Sequence, residues 1–107
     1  MQIDKISKYK GGWLVGNFKP SLFIRNDIEV GVHHIKKGYL SDGHFHINSN
    51  EYNLLIKGSV LNTITKVIYN EGEIIIFEPR DRSNLEFLKD TIILVIRDAS
   101  DPKDKFF

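Results

Sequence analysis

Four histidines fall in two pairs, His33-His34 and His44-x-His46, and Glu51 follows the second pair by five residues. Imidazole and carboxylate side chains at such spacings are metal ligands and proton carriers. On an extended strand, residues i and i+2 point to the same face about 7 Å apart, so the rings of His44 and His46 can reach one ion. Ile47 to Asn50 has the composition of a turn, and Glu51 then opens the next strand roughly opposite the histidines. Two imidazoles and one carboxylate converging from a hairpin form a facial site with open positions. Such a donor set suits one divalent transition metal ion (Fe, Mn, Ni, Zn or Cu) rather than Ca or Mg.

The elements that must hold these residues show a period of two. Short β-branched or aromatic runs occur at Tyr9–Lys19, Ser21–Arg25, Ile28–Ile35, Glu51–Lys57, Val60–Tyr69, Glu73–Glu78, Asn84–Lys89 and Thr91–Arg97. Between them lie turn signals such as Asp42-Gly43, Lys57-Gly58 and Asn70-Glu71-Gly72. This pattern predicts an all-β sandwich or barrel. No stretch of ten residues has helical apolar spacing; residues 1–8 are expected to form one helical turn or an edge strand. The 107 residues are expected to make one domain spanning 1–107. The polar stretch Asp98–Lys105 is expected to run over the surface, pinned by Phe106 and Phe107.

Composition excludes several classes of function. Fifteen Lys and Arg against fourteen Asp and Glu leave a net charge of +1, which argues against a nucleic-acid backbone binder. The chain has no cysteine, so disulfides, cysteine zinc sites and a thiol nucleophile are excluded, and a reducing cytoplasmic location is expected. No apolar run is long enough for a membrane helix, and the N-terminus has no apolar signal-peptide core. Small size and surplus apolar surface predict a homodimer, with Tyr52, Leu54 and Ile56 on the outward face of their strand.

The segment Gly38-x5-His44-x-His46-x4-Glu51-x6-Gly58 resembles the first conserved motif of the cupin superfamily at every named position and spacing. A second motif is matched only in part. Gly72 and Pro79 fit it, whereas Asp81, Asn84 and Leu88 stand where that family has glycine, histidine and asparagine. The resemblance implies a small antiparallel β-barrel of jelly-roll type, dimeric or larger, with a metal held inside by three histidines and a glutamate. Carried over residue by residue, it implies His44, His46 and Glu51 as ligands and Asn84 in the place of the fourth.

Strand alternation extends this reading. If Asn84 points inward, so does Glu86, which becomes a fourth ligand, a partner of a histidine or a general base. His34 shares a face with Val30 and Val32 and is expected to look into the core, with His33 on the outside. Glu86 and His34 are therefore the candidate catalytic proton carriers. Arg80 and Arg82 fit an anion contact at the barrel mouth or a solvated loop balanced by Glu78 and Asp81, the latter favoured. Trp13 is expected to be a core or interface anchor. These residues together suggest a metal-dependent enzyme acting on a small polar or anionic metabolite, of isomerase, epimerase or dioxygenase type. The alternative is a non-enzymatic small-ligand-binding or sensing module.

Overall fold

The computed structural model describes all of residues 1–107. Eight strands follow two short 3-10 turns, Ile6–Lys8 and Lys10–Gly12. They are β1 (Trp13–Val15), β2 (Glu29–Ile35), β3 (Glu51–Lys57), β4 (Ser59–Asn62), β5 (Ile68–Asn70), β6 (Ile74–Phe77), β7 (Leu85–Phe87) and β8 (Thr91–Arg97). Every strand pair is antiparallel. One sheet has the order β1-β2-β8-β3-β6 and the other β5-β4-β7. The two sheets enclose Leu55, Val60, Ile75, Phe77, Leu85, Phe87, Ile93 and Val95 as one buried cluster. The expected all-β jelly-roll barrel is thus the observed architecture.

Period-two alternation builds this core. In β8, Thr91, Ile93, Val95 and Arg97 are buried, while Ile92, Leu94 and Ile96 lie on the other face. Register carries the inner face across the large sheet. Glu29, Arg97, Glu51 and Phe77 stand in one row, and Gly31, Val95, Asn53 and Ile75 in the next. The inner row nearest the site is therefore largely charged. Gly31 leaves room for Trp13, because a Cβ there would lie 2.7 Å from the indole. Gly58 turns β3 into β4 at φ +104°, a left-handed conformation that disfavours other residues.

Several sequence expectations are corrected. Ser21–Arg25 is not a strand; it holds one isolated bridge, Ile24 to Gly16. The run Val60–Tyr69 is broken by a turn between β4 and β5, in which Lys66 has φ +64°. In β2 the inward residues are Glu29, Gly31 and, half-buried, His33, whereas His34 is exposed. The pairing of Glu29 with Arg97 sets this parity: a carboxylate that reaches a buried guanidinium must share its face. No helix is long and apolar enough to cross a membrane.

Leu55, at the centre of β3, is 1% exposed. Leu55→Ala should lower the unfolding free energy by about 2–5 kcal/mol, whereas Ile64→Ala in the exposed β4–β5 turn should cost no more than about 0.5 kcal/mol. Urea unfolding of the two variants checks this.

Candidate metal centre

His44 and His46 lie outside regular strands, in a segment held extended from both edges. On one edge, Ser83 N–H donates to the His44 carbonyl at 2.8 Å and Arg80 N–H to the His46 carbonyl at 2.6 Å. On the other, Phe45 and Phe106 exchange backbone hydrogen bonds of 2.9 and 3.0 Å, and their rings stack at 5.6 Å. Phe45 points away from the histidines, and Arg82 packs over its ring with Cζ 5.1 Å from the centroid. The alternation expected of His-x-His is therefore realised without a long strand: both imidazoles turn to one side, ring centroids 5.2 Å apart.

The loop from His46 to Glu51 is clamped by two aspartates. Asp104 Oδ1 accepts from Ile47 N–H at 2.8 Å and Oδ2 from Asn48 N–H at 3.0 Å. Asp98 accepts from the backbone N–H and the side-chain amide of Asn50 at 2.8 and 2.9 Å. Glu51 then enters β3 opposite both Phe77 and Arg97, 8% exposed. One ligand atom from each of His44, His46 and Glu51 lies within 4.8 Å of the others.

The hydrogen-bond inventory identifies the atoms available to a ligand. His46 Nδ1 faces the backbone carbonyl of Asp104, which can only accept, so Nδ1 carries the proton and Nε2 presents its lone pair. Nε2 is buried without a hydrogen-bond partner, 3.5 Å from Glu51 Oε1. His44 Nδ1 is also buried without a hydrogen bond, with Asp42 Oδ1 3.8 Å away. Two orphaned imidazole nitrogens beside a carboxylate cost desolvation energy unless another group satisfies them. A divalent transition ion fits this donor set, and the carbonyl behind His46 is the kind of outer partner that orients a ligating imidazole.

The electrostatics agree. Burial pushes the Glu51 carboxyl up, but the adjacent His46 imidazole, the Asn53 amide and the His44 imidazole hold it below the usual carboxylate range. Burial also pushes the His44 ring below the ordinary histidine value, and the Glu51 carboxylate opposes that shift. Burial raises the Asp104 carboxyl, and the N–H groups of Ile47 and Asn48 more than reverse that.

Asn84, Glu86 and His34 are not brought to this centre. In β7, Leu85 and Phe87 are core residues, so Glu86 looks outward, opposite Leu61 and beside Leu40. The Asn84 amide instead packs over the backbone of Gly43, where a Cβ would meet it at 2.3 Å. Ser83 bridges His44, and antiparallel partners share a face, so Ser83 occupies the position assigned to Asn84. The cause is a one-residue difference in register, which reverses every side chain. The apolar pair Leu85 and Phe87 carries that signal in the sequence. The stretch Asp98–Lys105, expected on the surface, buries Ser100 and Asp104 because their polar groups meet Glu29, Arg97 and the His46–Glu51 loop. Asp104, Ser49 and Arg97 escaped the sequence reading, since their partners are far away in the chain.

No protein-family model matches the chain, and no curated protein matches it in sequence. Solved structures do. A double-stranded β-helix protein from Klebsiella pneumoniae is 18% identical, with TM-score 0.67 over 97% of this chain and 88% of that one. A cupin-2 domain protein from Shewanella frigidimarina is 14% identical, with TM-score 0.56 over 67% and 71%. The DMSP lyase DddQ from Ruegeria pomeroyi is 11% identical, with TM-score 0.67 over 89% of this chain, which spans about half (49%) of that one. At these identities the likeness concerns the fold, and the chain has the cupin fold that its first motif implies.

Ser83→His adds an imidazole on the face of His44 and should tighten zinc binding about tenfold or more, whereas Asn84→His should leave it unchanged. Competition with a chromogenic chelator measures both. Asp104→Ala removes the acceptor for two backbone N–H groups and an ion-pair partner of Arg97, and should cost about 3–5 kcal/mol in urea unfolding.

Proposed function

We propose that the chain binds one divalent transition metal ion through His44, His46 and Glu51 and acts on a small polar or anionic metabolite. The reaction would be of isomerase, epimerase or dioxygenase type. The observation that carries this reading is the pair of buried, unpartnered imidazole nitrogens beside an ionised carboxylate. When bound, the ion would supply Lewis acidity toward a substrate carbonyl or a pair of substrate oxygens. The chain's own residues prepare the site. The Asp104 carbonyl fixes the His46 tautomer, and the Asn53 amide donates to Glu51 Oε2 at 3.2 Å and orients it. His33, not His34, is the inner-face histidine. Burial lowers its pKa, so it is neutral at pH 7 and able to accept a proton.

A second reading, a small-ligand-binding or sensing module, is favoured by the outward placement of both Glu86 and His34, which leaves fewer proton carriers inside. A cytoplasmic location is part of the proposal and accords with a chain lacking cysteine. Its protein partner is a second copy of the chain. The outer face of the large sheet carries Tyr52, Leu54, Leu94, Ile96, Ile74 and Ile76 side by side in register. A standard interface removes roughly 800 Å² per partner, and this apolar face, with Ile74 and Ile76 exposed, is the surface that would contribute to it.

Elemental analysis of the purified protein should find one metal ion per chain, absent from the His44→Ala/His46→Ala double variant. Unchanged metal content in that variant would remove the assignment. Light scattering should give twice the 12.4 kDa chain mass, and Ile76→Lys should return the monomer mass. A monomeric unmodified protein would refute the dimer.

A further inference from the structure

Arg97 separates two regions of the barrel interior. It stands in register between Glu51, which belongs to the His/Glu cluster, and Glu29, which lines a cavity of about 380 Å³. Trp13 and Phe18 wall that cavity, edge to face at 6.5 Å. The indole is held in place, with the His33 ring 4.7 Å away and Gly31 beneath it. Lys10, Lys19 and Lys105 reach the same cavity. The charges at its floor are already matched, because Arg97 Nη1 donates to Glu29 Oε1 at 3.2 Å and Ser100 Oγ to Glu29 Oε2 at 2.8 Å. No lysine of the three forms an ion pair; the only other acid on the lining, Asp101, accepts from Lys103 N–H at 2.9 Å. Lys10, Lys19, Lys105 and Arg97 outnumber Glu29 and Asp101 on the lining, and Lys105 Nζ lies 5.3 Å over the Phe107 ring, so the cavity joins an aromatic wall to a net positive charge at a volume typical of small-molecule sites.

We propose that this cavity binds a small organic anion with a flat apolar body, the simplest of its class being an aromatic carboxylate. The ring lies against Trp13 and Phe18, and the carboxylate is drawn to Lys10, Lys19 and Lys105. The cavity lies on the Glu29 side of Arg97, with Glu51 on the other side, and requires no metal.

Trp13 is the only tryptophan, so its indole N–H resonance reports on this cavity alone. Metal-stripped full-length protein titrated with benzoate should show a saturable shift of that resonance. Lys10→Ala/Lys19→Ala should weaken binding about tenfold, and benzyl alcohol, the neutral counterpart, should bind about tenfold more weakly than benzoate. Lys66→Ala, in the β4–β5 turn, should leave the affinity unchanged. No saturable shift up to the solubility limit of benzoate would overturn the proposal. So would equal binding of benzyl alcohol, or an unaltered affinity in the double lysine variant. Because the titration uses metal-free protein, its failure leaves the metal reading untouched. Loss of that reading would equally leave this site standing.

Discussion

A guanidinium inside an apolar barrel must be matched on every side, and the interior of this protein is arranged around that requirement at Arg97, 6% exposed. Its Nη1 meets Glu29 on β2, its Nη2 and Nε meet Ser49 in the His46–Glu51 loop, and Nη2 also approaches the Asp104 carboxylate at 3.5 Å. Removing one member of such a group leaves an uncompensated buried charge, which is why it constrains structure more than an exposed pair would. Two strands, one loop and the C-terminal segment are thereby fixed to a single point. The parity of β2, the seating of the tail and the position of Glu51 beside β8 all follow from it.

The candidate metal centre depends on the same group at one remove. Asp104 faces Arg97 with its carboxylate and also caps the backbone after His46, while its carbonyl takes the Nδ1 proton of that histidine. The spacing of His46 and Glu51 is therefore held by a residue more than fifty positions away in the chain. What remains without a hydrogen bond is His46 Nε2, which faces Glu51, and His44 Nδ1, 3.8 Å from Asp42. A structure that pairs its other buried polar side chains but leaves two nitrogens free in one place has a ligand-binding character there.

The inner face of the large sheet serves three environments. Beyond the charged row it becomes an apolar core; on the Glu29 side it opens to the lysine-rimmed aromatic cavity, and on the Glu51 side to the imidazoles. Gly31 permits this division, since any side chain there would displace the indole that forms the wall. The outer face of the same sheet is apolar along several strands, a different surface for a different kind of contact.

Period-two alternation was enough to reveal an all-β barrel, and the spacing of Gly38, His44, His46, Glu51 and Gly58 was enough to bring three donors together, because both are local properties of an extended chain. Most strand limits were legible for the same reason; β3 and β8 coincide with the runs read from the residues. Alternation assigns residues to two faces but does not say which face is inside. In β2 that choice lay with Arg97, a partner sixty-eight positions from Glu29, so His33 and His34 exchanged roles. In β7 the apolar residues Leu85 and Phe87 claimed the core, and the second motif, read one residue out of register, put Asn84 and Glu86 on the wrong side. The burial of Asp104 and the cavity beside Trp13 left no mark in the local pattern. Each is made by side chains distant in sequence, whose charges and volumes are matched only when the barrel closes.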